Sequence, residues 1–334
     1  MMPKLRGLSF HSAKGGAGKS TLATLAAVRA AQLYPESHVV LIDMDLTGTS
    51  LADVLRLQAP ICRVDDQGRL QIHQEHSGFM SHDDSTDAIA SRGDEDDPNL
   101  KVVPFLNDYL LFPTPDWSEE TDALAESISW RLEGGPEKLR VIPSSALPSD
   151  LRIMVPIIFD EYHAAFLESR LEYLLANMLA HHGDVIAVID VPPTIPGLSR
   201  AILSLGLRLN QRPLRPLAHN GGFPEPLESS APKWTACVIS TMDKQDLRAV
   251  DRWLRLAETD GNDGSIRVVL NNADGDESQT RALVSERLGQ LYAQLWDDVL
   301  VVPSSPDFLI FRDGNSMPPE AQLRQIDRLL EETT

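Results

Sequence analysis

The sequence predicts an α/β protein with a doubly wound, mostly parallel sheet, helices on both faces and two loop-rich insertions. Apolar runs at residues 5–10, 38–42 and 184–191 indicate strands, and the last two are typical of strands that are buried on both faces of a sheet. Segments of helical period follow these runs, and the same alternation returns towards the end of the chain. A glycine-rich loop follows the first run and acids follow the other two, which is where such sheets bind ligands.

The chain is predicted to form a single domain over residues 1–334. Its 334 residues, 42% of them apolar, suffice for one large core. Two segments interrupt the strand and helix rhythm and are predicted to be insertions. The first, about residues 58–135, is acidic and expected to be partly disordered. The second, residues 206–232, is a loop rich in proline and glycine.

The glycine-rich loop at residues 11–21 reads His-Ser-Ala-Lys-Gly-Gly-Ala-Gly-Lys-Ser-Thr. Glycines let backbone N–H groups surround an anion, and the N-terminus of the following helix adds a favourable dipole. In a phosphate-binding loop Lys19 would reach the β- and γ-phosphates and the Ser20 hydroxyl would face Mg²⁺. The predicted nucleotide-binding residues are Gly15, Gly16, Ala17, Gly18, Lys19, Ser20 and Thr21. The alternative is a glycine-rich turn in an unrelated α/β protein.

Three acids follow predicted strands and are the candidate metal and catalytic carboxylates. Asp43 and Asp45 end the run at 38–42, and Asp190 ends the run at 184–191. Because carboxyl ends of parallel strands share one edge, these groups are expected to face the same crevice. The alternative is that they only cap the helices that follow, at residues 51–57 and 198–205.

The loop departs from the general phosphate-binding pattern because Ala13 replaces its first glycine and Lys14 follows. In this form it resembles the deviant Walker A motif of the ParA/MinD family of ATPases. That resemblance implies that Lys14 reaches across a dimer interface to the partner's nucleotide. It further implies that Asp43 holds Mg²⁺ through water and that Asp45 orients the attacking water.

A second resemblance to this family lies at Asp190-Val-Pro-Pro, which is similar to its Walker B and switch II segment, D-x-P-P-G. It implies a role for Asp190 beside Mg²⁺, together with Ser20 and Asp43. Thr194 stands where the family has glycine, which puts the loop's γ-phosphate contact in doubt. By the same resemblance, Asn271 and Pro303 would hold the adenine.

Charge and cysteine content restrict the partners. With 49 acidic and 30 basic residues the formal net charge is -19, so direct binding to DNA or to anionic membranes is disfavoured. The closing helix at 320–331 is also acidic, although a patch of Arg200, Arg208, Arg212 and Arg215 could override the average. Cys62 and Cys237 form no C-x-x-C pair that would bind a metal. Lacking a leader and an apolar run of 18 residues, the protein is expected to be soluble and cytoplasmic.

These features predict a slow Mg²⁺-dependent ATPase that dimerises on ATP and positions or regulates a macromolecule, a protein being the expected partner. ATP and Mg²⁺ are the expected cofactors, and Lys14, Lys19 and Asp45 the catalytic residues. One alternative is a synthetase- or amidase-type enzyme that activates a small carboxylate, against which Lys14 argues. The other is a nucleotide-binding module without turnover, for which Thr194 is the only support.

Overall fold

The computed structural model describes residues 3–48, 51–64, 70–72, 78–91, 103–111, 124–193, 196–212, 214, 232–258, 266–273, 277–288, 299–304 and 320–333. The strands are β1 Leu5–Ser12, β2 His38–Asp43, β3 Leu57–Gln58, β4 Cys62–Val64, β5 Leu70–Ile72, β6 Trp130–Leu132, β7 Leu139–Ile142, β8 Val185–Asp190, β9 Lys233–Ser240, β10 Ile266–Ala273 and β11 Leu300–Pro303. The helices are α1 Lys19–Leu33, α2 Leu51–Val54, α3 His82–Ser91, α4 Leu106–Leu111, α5 Pro148–Phe159, α6 Glu161–His182, α7 Pro196–Leu209, α8 Lys244–Glu258, α9 Glu277–Leu288 and α10 Glu320–Thr333.

Within these residues, nine strands form one sheet in the order β11-β10-β9-β1-β8-β2-β7-β6-β3. All pairs from β11 to β7 are parallel, and β6 pairs antiparallel with both β7 and β3. A separate antiparallel pair joins β4 to β5. The predicted α/β fold with a mostly parallel sheet is confirmed. Because β1, β2 and β8 are neighbours, the loops after them meet at one edge.

Side chains of β1 enter two separate cores. Leu8 and Phe10 of β1 belong to a core that includes the apolar residues of α1, whereas Leu5 belongs to the core formed with α6 and α7. Alanines fill much of the buried surface of α1, and their small size lets the helix lie close to the strands. Helices therefore cover both faces, as the sequence predicts.

Trp234 at the start of β9 fixes the position of α7. A Cβ atom added to Gly7 would lie 1.9 Å from the Trp234 ring, and one added to Gly206 would lie 2.3 Å from it. The indole Nε1 donates to Ser9 Oγ at 3.1 Å. Gly206 is thus a packing residue inside a helix. The predicted insertion at 206–232 is wrong at its start, since helix α7 continues to Leu209.

The predicted insertion at 58–135 contains more regular structure than expected. The acidic run at 83–87 lies within α3, because Ser81 caps this helix and acids are favourable in a first turn. Helix α4 lies in the same segment. Residues 124–127 are helical and are followed by β6, whose Trp130 is buried.

Some predictions fall outside the described residues, namely those on Thr194, on Arg215 and on most of the second insertion. The single-domain boundary at 1–334 stays a prediction. No helix in the described ranges is long and apolar enough to cross a membrane. Cys62 and Cys237 are both free and buried.

Candidate functional site

The glycine-rich loop leaves β1 at the sheet's carboxyl edge and enters α1. Gly16 and Gly18 adopt positive φ angles of 82° and 83°, which side chains other than glycine rarely tolerate. A Cβ atom on Gly18 would also lie 2.1 Å from Asn271 Nδ2, whereas one on Gly15 or Gly16 would meet open space. Gly18 is the N-cap of α1 and supplies no side-chain acceptor, so the first backbone N–H groups of the helix suit an anion.

Lys19, the first residue of α1, forms a buried ion pair with Asp190 at the end of β8. The side chains are only 7% and 2% exposed. Burial raises the pKa of Asp190, while the charge of Lys19 and hydrogen bonds from Lys19 and Ser20 act against that shift. The predicted residues Lys19, Ser20 and Asp190 therefore lie together, with Thr21 following in the same helical turn.

Asp43 lies beside Asp190, since the two residues are in register on β2 and β8. Burial and, next, the charge of Asp190 raise the pKa of Asp43 to about 7. The Asp43 carboxylate accepts hydrogen bonds from Leu51 N at 2.8 Å and from Asp45 N at 3.0 Å. The cap on α2 expected from the alternative interpretation is thus present, although the helix ends at Val54 and not at residue 57.

The two buried carboxylates and the Ser20 hydroxyl form an all-oxygen donor set of the kind that Mg²⁺ prefers. A divalent cation there would offset the repulsion that raises the pKa of Asp43. Within the described ranges, histidine, cysteine and acidic side chains alone form no group of three that could hold a metal ion.

Asp45 is half-buried and its Oδ1 accepts hydrogen bonds from the Thr47 backbone and hydroxyl. Sequence reasoning missed Ser144, whose Oγ lies 2.9 Å from Asp43 Oδ2 and 3.0 Å from the Asp45 carbonyl. Ile42 and Ile142 are in register on β2 and β7, so Ser144 follows its strand as Asp43 and Asp45 follow theirs. A polar residue just after a neighbouring parallel strand was the available signal.

Asn271 and Pro303 lie at the same edge, on the far side of the loop from Asp43. The Asn271 Nδ2 group donates to the Ala17 carbonyl at 2.9 Å, and its Oδ1 is buried with no donor in the part of the chain that the structure describes. Pro303 is in register with Ala273, and its carbonyl accepts from Gln322 Nε2 at 3.2 Å. The site therefore offers one buried acceptor next to the phosphate loop.

Lys14 projects from the outer side of the loop, where its side chain is 57% exposed. Its Nζ lies 3.1 Å from Asp246 Oδ1, in the first turn of α8. The structure thus places Lys14 apart from Lys19 and Asp190, on the flank of the loop that faces α8.

His11 is a second residue that the sequence did not single out. Its Nε2 lies 2.9 Å from Ser9 Oγ, which also accepts a hydrogen bond from the Trp234 indole. Burial and then the charge of Lys19 lower the pKa of His11 to about 3. His11 is therefore neutral at pH 7 and adds no charge beneath the loop.

The arginine patch considered for nucleic acid is partly neutralised inside the protein. Arg208 pairs with Glu168 and lies 2.7 Å from Glu172 Oε2. Its charge is satisfied between α6 and α7, which makes it unavailable to an external phosphate chain.

Comparison with known proteins agrees with this geometry. Residues 6–95, which include the loop, Asp43 and Asp45, match the model of the ParA family described as NUBPL iron-transfer P-loop NTPase. No curated protein sequence matches the chain.

Solved structures share the fold over nearly the whole chain. Apo McdA from Cyanthece superimposes with a TM-score of 0.54 at 14% identity, covering 99% of this chain and 100% of that one. A ParA family ATPase from Chlorobium tepidum TLS gives 0.52 at 17% identity, covering 97% and 98%. A putative plasmid partition protein from Borrelia burgdorferi B31, bound to AMPPNP, gives 0.52 at 17%, covering 99% and 98%. Residues 6–95 are thus similar to the ParA family, and the chain shares the fold of these solved structures.

Proposed function

We propose that this protein is a cytoplasmic, Mg²⁺-dependent ATPase that dimerises on ATP and, in that state, positions or regulates a protein partner. The observation that carries the proposal is the buried group of Lys19, Asp190 and Asp43 directly beneath an open glycine loop. A buried lysine paired with a carboxylate at an uncapped helix N-terminus is an arrangement suited to a phosphate chain with a bound cation.

Asn271 favours adenine over guanine. Its buried Oδ1 has no donor among the described residues, and a buried acceptor without a partner costs free energy. The exocyclic amine of adenine would supply a donor, whereas guanine presents a carbonyl oxygen at the corresponding ring position. The predicted role of Asn271 at the base is therefore supported by the chemistry of its orphan atom, and Pro303 at the same edge stays the second candidate.

For hydrolysis, the chain's own residues would neutralise charge and position water. Lys19 would leave its ion pair with Asp190 and pair with the β- and γ-phosphates instead. Mg²⁺, bound by Ser20 and Asp190 and through water by Asp43, would supply further positive charge against those phosphates. Asp45, half-buried at the mouth of the site, would orient the attacking water.

Lys14 and the structural neighbours support the switch part of the proposal. Lys14 is on the outer side of its loop, from which a side chain can reach a second copy of the chain. Neighbours of the same fold are named as a plasmid partition protein and as the cell division ATPase MinD of Pyrococcus furiosus, the latter with a TM-score of 0.51 at 13% identity and with 98% of this chain and 99% of that one covered. Proteins of this fold thus include positioning ATPases.

A phosphate-release assay tests the proposal. We expect slow, Mg²⁺-dependent release from ATP that does not change when small carboxylic acids are added. Asp45→Ala should stop release and leave ATP binding intact in calorimetry, because only the positioning of water is lost. Asp53→Ala, an exposed acid two residues into α2, is the matched control and should release phosphate at the parent rate.

Two results would contradict the proposal. Release that depends on one added acid would indicate a synthetase- or amidase-type enzyme. Tight ATP binding with no release under any condition would indicate a nucleotide-binding module without turnover. Parent-rate hydrolysis by Asp45→Ala would remove only the role of Asp45 and leave it as the residue that caps Thr47.

A further inference from the structure

Lys14 is paired within its own chain. Strands β1 and β9 are parallel neighbours with Ser12 in register with Ile239, so the segments that follow them lie side by side at the sheet edge. This places Lys14 Nζ 3.1 Å from Asp246 Oδ1. The contact therefore follows from the pairing of two central strands.

Asp246 is positioned by groups other than Lys14. Its side chain is only 9% exposed, and its Oδ2 accepts a hydrogen bond from the Thr241 hydroxyl at 2.5 Å. It lies in the first turn of α8, whose N-cap is Asp243. The positive end of the helix dipole favours a carboxylate there. Asp246 can thus stay in place after Lys14 leaves.

One ammonium group cannot lie against Asp246 of its own subunit and also beside the phosphates of a second copy. In the dimer of the proposed function, the pair between Lys14 and Asp246 must open once in each subunit. We propose that Asp246 is a positioning residue that holds Lys14 on its own subunit, so that dimerisation requires a competing anion. This inference rests on the proposed ATP-dependent dimer.

Asp246 and the phosphates of a second copy compete for Lys14, and the triphosphate competes better than the diphosphate. Lys14 is more than half exposed, so its ion pair with Asp246 is weak and screened. A γ-phosphate adds negative charge on the side of the nucleotide that a partner's Lys14 would approach. The diphosphate lacks that charge, and Asp246 then retains the lysine.

Asp246→Asn tests this role because it removes the charge and keeps the shape and the acceptor for Thr241. The experiment measures dimerisation by sedimentation in the Asp45→Ala background with saturating Mg-ATP. We expect the dimer dissociation constant to fall by about fivefold to thirtyfold, since two exposed pairs no longer have to open. Asp251→Asn, a carboxylate further along α8 that does not pair with Lys14, is the matched control and should leave the constant unchanged.

A double-variant cycle separates this role from a structural one. Combined with Lys14→Ala, Asp246→Asn should leave the protein monomeric, whereas a general loosening of α8 that favours association would restore an ATP-dependent dimer without the lysine. Asp246→Ser, which also removes the charge, provides a second variant if Asp246→Asn folds poorly, and thermal unfolding checks both.

The outcomes distinguish this inference from the proposed function. If Asp45→Ala binds ATP but never dimerises, both are wrong. If Asp45→Ala dimerises and Asp246→Asn leaves the dissociation constant within twofold or raises it, the inference alone is wrong, and Asp246 serves the folding or the preorganisation of the loop.

Discussion

Lys19 illustrates how one residue serves both the fold and the site. Its charge is neutralised by Asp190, and both side chains are almost fully buried. A buried ion pair contributes little net stability, but loss of one partner leaves an unpaired buried charge. Separating Lys19 from Asp190 is therefore costly unless the lysine gains a second anionic partner, which we propose is the phosphate chain.

Lys19→Ala should abolish measurable Mg-ATP binding, because a triphosphate would then face only backbone dipoles and two buried carboxylates. Isothermal titration calorimetry provides the measurement. Lys138→Ala, a surface lysine near Glu36, is the matched control and should bind normally. Normal affinity in Lys19→Ala would exclude the loop from the nucleotide site.

At the scale of elements, the close packing of β1, β9 and α7 depends on two glycines around Trp234. Gly206→Ala would gain about 1 kcal/mol of helix propensity. Its Cβ would, however, lie 2.3 Å from the indole, and overpacking of this kind costs about 1–3 kcal/mol. We expect a net loss of stability in urea denaturation, partly recovered when Trp234→Phe is added.

Gly15→Ala is the matched control for that substitution, because an added Cβ there meets open space and its φ angle is not positive. Its stability should stay within about 0.5 kcal/mol of the parent. Equal losses in both variants would mean that the contact between α7 and Trp234 does not limit stability.

A stacked histidine pair joins the start of β2 to the end of α6. The rings of His38 and His182 are parallel, 3.9 Å apart, and burial followed by the charges of His182, Arg140 and Lys138 lowers the pKa of His38 to about 3. Between pH 6.5 and 3 the unfolded chain therefore binds a proton at His38 that the folded chain does not. The contribution of His38 to the free energy of unfolding is therefore fully present above pH 6.5 and decreases as the pH falls towards 3.

His38→Phe should flatten the decline in the free energy of unfolding between pH 7 and 5 by up to about 1.4 kcal/mol per pH unit, and the aromatic stack is preserved. Asp43, whose pKa is raised, has the opposite effect in this window, since its folded form takes up a proton as the pH falls. That effect is common to parent and variant and cancels in the difference. Identical slopes in the two proteins would contradict the lowered pKa of His38.

The central elements could be predicted from sequence, because a buried parallel strand and a glycine loop are local patterns. The contacts of Lys14 and Ser144 could not, since each depends on which strands become neighbours. Lys14 meets Asp246 because β1 pairs with β9, and Ser144 meets Asp43 because β2 pairs with β7. Within the first insertion, the acidic run at 83–87 indicated a loop, but a capping serine and burial of Ala88 stabilise it as a helix.

For the whole molecule, the net charge of -19 opposes approach to DNA and to anionic lipid. Arg208, the central member of the arginine patch, is occupied by Glu168 and Glu172. We therefore expect the ATP-bound protein to bind random duplex DNA and anionic vesicles weakly. Fluorescence anisotropy and vesicle flotation at two salt concentrations measure this, and submicromolar, salt-sensitive binding would contradict it.

Sedimentation velocity of Asp45→Ala, with and without Lys14→Ala, tests the central claim of an ATP-dependent dimer most directly. Asp45→Ala should accumulate the ATP state and sediment as a dimer with Mg-ATP and as a monomer with Mg-ADP. Adding Lys14→Ala should leave ATP binding appreciable and the protein monomeric, because the lysine that reaches the partner's nucleotide is gone. A double variant that still forms an ATP-dependent dimer would contradict the role of Lys14, and an ATP-bound Asp45→Ala protein that stays monomeric would contradict the switch itself.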